Sequence, residues 1–292
     1  MSPLWGCGSL EHMTLADHVG TITLGGRSVP RLGFGTMRLT GSGIFGEPVD
    51  PDECIRTVQN AYQGGVRVFD TAWYYGPDVA SRIVREALAP YPDDIVFVSK
   101  LGGSRRENGD WYAAPTRDQL RAGADRECRL LGVDHLPVVH LRWMGTGGSV
   151  TFEEMLASLL ELRDEGVIGA IGLSNIGIEH LETALREGVR PATVSNAYGP
   201  GERAADALLD RCTELGIAFL PFFSLLTSDR AQAVHDVAAQ LGAAPAQVAI
   251  AWQLRRAPNV LPIPGTSNPD HLAENLAAAQ LELSDAQYAA IT

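Results

Sequence analysis

Lysine is almost missing from this chain. Of 23 basic residues one, Lys100, is lysine, and the rest are arginine. Arginine keeps its charge and presents a planar fork, whereas the lysine ammonium is compact and shifts its pKa on burial. A solitary lysine therefore hints at acid/base chemistry at its position. The competing reading is a compositional accident, and only the surroundings of Lys100 decide between the two.

Other absences narrow the function. No apolar run approaches the roughly 18 residues that a membrane span needs, and the N-terminus lacks a basic region followed by an apolar stretch, so neither a membrane protein nor a secreted one is expected. The four cysteines (Cys7, Cys54, Cys128 and Cys212) form no CxxC pair and no cluster with histidine. A disulfide framework and a metal site are thereby excluded as expectations, and a reducing cytoplasm fits. The formal charge is −12 with no basic stripe to offset it, which argues against nucleic acid and anionic membrane as partners. No Gly-x-Gly-x-x-Gly follows an early strand, so a doubly wound dinucleotide fold lacks its phosphate loop. Residues 1–17 are weakly periodic and contain the run Gly8-Ser9-Leu10-Glu11-His12-Met13. They are read as a flexible extension or cloning remnant, leaving 18–292 as one domain.

Strands and helices alternate through that domain. Thr21–Leu24 turns at Gly25-Gly26 into Ser28-Val29-Pro30, which reads as a hairpin. After it come eight short β-branched or apolar runs: Leu32–Thr36, Val66–Asp70, Ile95–Lys100, Pro137–Arg142, Ile168–Leu173, Thr193–Asn196, Ala218–Phe222 and Val260–Pro264. Amphipathic segments lie between them, with Thr116 and Thr151 as N-caps, Pro115 and Pro245 at helix entrances, and glycines such as Gly132, Gly166 and Gly216 at C-caps. Eight such units without a linker predict an α/β fold, a single (β/α)8 barrel with an N-terminal β-hairpin.

In a barrel of this kind the site lies at the C-terminal ends of the strands. Those ends carry Asp70, Lys100, Arg142, Ser174 with Asn175, Ser195, and Gly265 with Thr266. The loops beyond them add Trp73, Tyr74, Trp111, Tyr112, Trp143 and Met144. Loop aromatics usually serve packing, but tryptophans gathered on one face suggest an apolar or aromatic substrate pocket.

These runs resemble the aldo-keto reductase superfamily from about Thr21 to the end. The likeness rests on Leu32-Gly33-Phe34-Gly35-Thr36-Met37, Phe69-Asp70-Thr71-Ala72 with Tyr75-Gly76, Val98-Ser99-Lys100, Gly172-Leu173-Ser174-Asn175, and Ile263-Pro264-Gly265-Thr266 leading to Leu272-Ala273-Glu274-Asn275. Val138–Arg142 and Pro221-Phe222-Phe223 are similar to a bacterial branch that includes pyridoxal reductases. The resemblance implies hydride transfer from a nicotinamide to a carbonyl carbon, with a tyrosine protonating the oxygen. Tyr75 is then the acid, with Asp70 and Lys100 beside it and Tyr74 as the rival tyrosine. A free tyrosine has a pKa of roughly 10, and a nearby ammonium favours the phenolate.

The family's usual histidine at the end of strand four is replaced by Arg142. His140, two residues earlier, shares its face but lies deeper, and is read as an interior residue at the floor of the pocket. Arg142 is expected to polarise a carbonyl or to grip a substrate anion. The same resemblance implies cofactor contacts for Asp70, Thr36 and Met37, for Ser174, Asn175 and Ser195 around the carboxamide, and for Phe222 stacked on the nicotinamide. Ser224 and Leu225 fall in the pyrophosphate loop, and Gly265, Thr266, Ser267, His271, Glu274 and Asn275 at the adenosine end. His271 is the one ionisable cation of that segment, with Arg230 a helper, so NADP(H) is favoured and NAD(H) kept open. The expected partner is a small carbonyl compound, aromatic or anionic, with monomer and homo-oligomer equally open. Two alternatives stand beside the reductase: the barrel reused for cofactor-assisted dehydration or cyclisation, and a nicotinamide-sensing subunit. Gly102–Pro115 has the length of a lid, and no long C-terminal loop follows the last helix.

Overall fold

The computed structural model describes residues 13–145, 149–222 and 230–292. The described residues open with helix α1 (Leu15–Val19) and the hairpin β1 (Thr21–Leu24) and β2 (Arg27–Pro30), then β3 (Phe34–Gly35). Next come α2 (Pro51–Gln63), β4 (Val68–Asp70), α3 (Val79–Leu88) and β5 (Val96–Leu101), followed by a second hairpin, β6 (Gly103–Arg105) and β7 (Trp111–Ala113). The remainder runs α4 (Arg117–Leu131), β8 (Leu136–Arg142), α5 (Phe152–Asp164), β9 (Ile168–Ser174), α6 (Ile178–Arg186), β10 (Thr193–Ser195), α7 (Asp206–Leu215), β11 (Ala218–Phe219), α8 (Arg230–Leu241), α9 (Pro245–Arg256), α10 (Pro269–Ala277) and α11 (Asp285–Ile291). Helix α1 straddles the boundary expected after residue 17 and buries Leu15 and Val19 in the main core.

Seven strands pair in parallel in the order β11-β10-β9-β8-β5-β4-β3. The eighth position is filled by the extended segment 259–264, which bonds both neighbours without forming a regular ladder. The Phe219 amide donates to Asn259 and the Leu261 amide to Phe219 on one side, while the Gly33 and Gly35 amides donate to Pro262 and Pro264 on the other. Pro262 and Pro264 have no N–H to return, so the barrel closes on one-way bonds. The strand expected at Val260–Pro264 is therefore a seam.

Strand parity sorts the side chains into layers, because successive residues point to opposite faces. Val68, Val96, Val98, Val138, Ala218, Leu220, Leu261 and Ile263 pack inside the barrel, and Leu24 and Val29 of the first hairpin plug its bottom. The other parity, with Phe69, Phe97, Val139, Leu141 and Leu173, packs outward on the helices in a larger core. Moving up the inward face, the apolar residues give way to Asp70, Lys100, His140, Arg142 and Ser174. Lys100 is paired in register with His140, and Arg142 with Ser174. The sheet thus delivers a polar cluster to one end of an apolar barrel.

The seam sets a steric limit. A methyl added at Gly265 would lie 2.4 Å from the Gly35 carbonyl oxygen, and one at Gly35 would lie 2.7 Å from that of Ile263. Backbone cannot yield as a flexible side chain does, so Gly265→Ala should destabilise the fold by about 1–3 kcal/mol. A urea midpoint unchanged from the parent protein would show that the seam has slack.

Candidate active site

At the top of the barrel the Lys100 ammonium donates to Asp70 Oδ1 at 2.5 Å and to the Thr71 carbonyl at 3.2 Å. Both charged side chains are about 5% exposed. The ammonium also lies 5.1 Å from the centre of the Tyr75 ring. Burial holds the Asp70 carboxyl above the usual carboxylate range, although Lys100 and Arg142 act against it. The Tyr75 phenol is held well above its ordinary value, first by burial and then by the Asp70 charge, with Arg142 pulling the other way. The phenol is therefore a protonated donor at neutral pH, and Arg142 is the cation that opposes the shift.

Tyr75 faces a cleft that it shares with Asp70, Phe222, Ile263, Gly265 and Asn275. Tyr74 does not line that cleft. Its ring is wedged edge-on between Trp73, Tyr75 and Trp111, at centroid distances of 5.6, 5.4 and 5.7 Å, and its hydroxyl is buried without a partner. Of the two tyrosines, Tyr75 is the one that lines the cleft.

Arg142 Nη1 donates to Ser174 Oγ at 3.1 Å, and its guanidinium stands 5.1 Å over the Phe222 ring. The arginine expected at the substrate oxygen is thereby linked to two residues expected at the nicotinamide. His140 is fully buried below them, bonded to Thr193 Oγ1 at 2.6 Å, with Nδ1 unpartnered. Burial, with Lys100 and Arg142 nearby, keeps its imidazole well below the ordinary value and hence neutral. Gly172 makes room for that ring, since a methyl there would lie 2.3 Å from its Cδ2. His140, expected at the substrate pocket, is buried beneath it and does not line the cleft.

Of the residues expected at the cofactor, Met37, Asp70, Phe222, Gly265 and Asn275 line the cleft. Thr36 and Ser195 are buried, and their hydroxyl oxygens have no partner. Asn175 holds a left-handed backbone (φ 60°), and its side-chain amide donates to the Trp143 carbonyl at 2.7 Å. Met37, Gly265, Thr266, Ser267 and His271 line an adjoining hollow together with Arg38. Asn275 is buried and Glu274 exposed. Ser224, Leu225 and the Arg230 side chain lie outside the described residues.

The aromatic loops part company. Trp111 lies across Tyr74 and under the Arg105 guanidinium, 4.1 Å away. Trp73 packs beneath Arg126, and Trp143 against Phe152 and His180. These two tryptophans support the surrounding helices, and neither lines the cleft that holds Tyr75. The segment expected to be a lid is the β6–β7 hairpin, tied down by Arg105 donating to the Gly43 carbonyl at 2.9 Å.

Two functional candidates had escaped the sequence reading. Arg38 follows Gly35-Thr36-Met37, and its cationic character was the available signal. Glu127 lies mid-helix in α4, fully buried behind Lys100, and nothing in its local sequence marks it.

A buried Asp–Lys pair beside a tyrosine opens on a cleft at the C-terminal ends of the barrel strands, where enzymes of this fold class carry out their chemistry. The Aldo/keto reductase family model matches residues 31–229 and 225–292, and the chain belongs to that family. Pyridoxine 4-dehydrogenase of Escherichia coli strain K12 is 44% identical over 273 residues, covering 91% of this chain and 94% of its own. Among solved structures, the thermostable aldo-keto reductase Tm1743 in complex with epalrestat matches with a TM-score of 0.78 at 25% identity, covering 93% of this chain and 98% of its own. An aldo-keto reductase from Klebsiella pneumoniae in complex with NADPH matches with a TM-score of 0.77 at 23% identity, over 93% of each chain. As a family member, the chain is an oxidoreductase of carbonyl compounds.

The ion pair gives a testable coupling. Lys100→Met leaves a buried carboxylate without its counter-charge and should cost about 3–5 kcal/mol of stability. Adding Asp70→Asn should restore part of that loss. Strict additivity of the two changes in a denaturation cycle would mean that the charges do not depend on one another.

Proposed function

We propose that the protein is an NADP(H)-dependent reductase of a small aromatic or anionic aldehyde or ketone, with Tyr75 as proton donor. The observation that carries this reading is the shared cleft, in which Tyr75 and Asp70 stand with Phe222, Gly265 and Asn275. A proton donor and a nucleotide-binding wall thus face the same space.

The residues present suit a nicotinamide nucleotide. The unpartnered hydroxyls of Thr36 and Ser195 await polar groups, and Phe222 and Ile263 offer apolar walls for a flat ring. Thr36, Met37, Ser174, Asn175 and Ser195 would hold the nicotinamide and its ribose, and Asn275 with Glu274 the adenine side. Arg38, Ser267 and His271 share a hollow suited to a phosphate, which favours NADP(H) over NAD(H). Ser224 and Leu225 keep their proposed place at the pyrophosphate. When bound, this cofactor supplies the hydride that reaches the carbonyl carbon.

The chain's own groups handle the proton. Tyr75 holds it on the phenol oxygen and releases it to the carbonyl oxygen as charge develops there, a role typically worth ~10²–10⁴-fold in rate. Asp70 holds Lys100 in place. Arg142, fixed on Ser174, has further donors in its fork to polarise the carbonyl or to bind a carboxylate, phosphate or phenolate oxygen. The similarity to pyridoxine 4-dehydrogenase supports an aromatic carbonyl with an ionisable ring substituent. The free thiols of Cys54, Cys128 and Cys212 accord with a reducing cytoplasm.

The test is NADPH consumption with a panel of aldehydes that includes pyridoxal. Turnover of at least one carbonyl is expected, and Tyr75→Phe should lower kcat by ~10²-fold or more with little change in binding. Clear NADPH binding without turnover of any carbonyl would overturn the reading. Arg142→Met, which leaves no donor at this position, separates the two roles of the arginine: activity kept on simple aldehydes but lost on anionic ones assigns it to anion binding. Equal loss on both classes assigns it to polarising the carbonyl.

A further inference from the structure

Behind the ion pair lies a second buried carboxylate that the proton chemistry above does not use. Glu127 projects from α4 and is wholly inaccessible to solvent. Ser99 Oγ donates to its Oε1 at 3.0 Å, and Ser81 Oγ lies 3.0 Å from both of its oxygens. Ser81 Oγ in turn meets Thr71 Oγ1 at 2.9 Å. Ser99 is the chain neighbour of Lys100, and Thr71 that of Asp70. Thr71 also offers its carbonyl to the Lys100 ammonium. A single carboxylate is therefore tied to the residues next to both members of the catalytic pair, on the side away from the cleft. Strand parity explains the arrangement: Lys100 points into the barrel, so Ser99 points out to the helices.

We propose that Glu127 is a positioning residue for the reduction. Through Ser99, and through Ser81 and Thr71, it clamps the two strand ends that carry Lys100 and Asp70, and its negative charge acts on Tyr75 from behind. This inference rests on the reductase reading above.

The electrostatic setting supports the role. Burial pushes the Glu127 carboxyl up to about 7, while the Ser81 and Ser99 hydroxyls and the Lys100 charge hold it down and Asp78 adds to the rise. The charged and titratable groups around it are Lys100 and Asp70 at the ends of β5 and β4, Asp78 held by Arg126 at the start of α3, and Cys128 beside it on α4. Tyr91 and Tyr75 both feel its charge, which in each case favours the protonated phenol. Ionised Glu127 thus keeps Tyr75 a donor at higher pH. Its loss should make the phenol easier to ionise.

The sign is testable in the alcohol-oxidation direction, where Tyr75 must accept a proton and its ionisation appears as a limb of the pH profile of kcat. In Glu127→Gln, which keeps a similar shape, that limb should move to lower pH, with KM within roughly twofold of the parent. Glu127→Asp keeps the charge but shortens the reach, so kcat should fall about tenfold with the limb in place. Ser99→Ala, which removes one arm of the clamp, should lower kcat severalfold at constant KM. An unmoved limb in Glu127→Gln together with a kcat near that of the parent would overturn the proposal. Should Glu127→Gln fail to fold, Ser99→Ala and Glu127→Asp decide, and full kcat in both would overturn it equally. A parent protein that turns over no carbonyl is the failure of the reductase reading, and that result is distinct from all of these.

Discussion

The pairing of Lys100 with Asp70 is the constraint around which the top of the barrel is organised. Taking two charges out of water costs several kcal/mol per ion, and their attraction offsets this only with close geometry and further hydrogen bonds. Here the pair meets at 2.5 Å, and the ammonium finds a second acceptor in the Thr71 carbonyl. Its neighbours in the chain are fixed in turn by a buried carboxylate across the helix layer. Each ring of partners makes the one inside it affordable, and Tyr75 receives its position and its raised pKa from the same burial.

Much of this was readable beforehand because strands have period two. The runs Val66–Asp70, Ile95–Lys100 and Pro137–Arg142 each end in a charged residue that parity places inside the barrel, so three elements far apart in sequence could be assigned to one cluster. The helices were legible through their caps: Thr116 and Thr151 each accept from the backbone amide three residues on, and α4 and α5 begin beside them. The seam at 260–264 was misjudged as a strand because its apolar pattern is strand-like, whereas its two prolines remove the donors that a regular ladder requires.

Side-chain direction in the loops was less legible. Trp73, Trp111 and Trp143 follow strand ends and share a face, yet Trp73 and Trp143 pack on helices, while Trp111 covers Tyr74. A loop has no fixed period, so its aromatics go wherever an apolar surface lies within reach. The β6–β7 hairpin escaped for a related reason: its strands are three residues each, too short to show alternation.

By itself the sequence determined the barrel class, the family likeness, and which residues stand at strand ends, because these follow from local periodicity and from the order of short motifs. It singled out Lys100 by composition and Arg142 by a departure from the usual histidine. Only the tertiary structure set Tyr75 on the cleft and Tyr74 off it, joined Arg142 to Ser174, brought Arg38 to the hollow beside His271, and set Glu127 behind the ion pair. These are contacts between segments distant in the chain, fixed by burial and by the closure of the barrel. No local pattern encodes them.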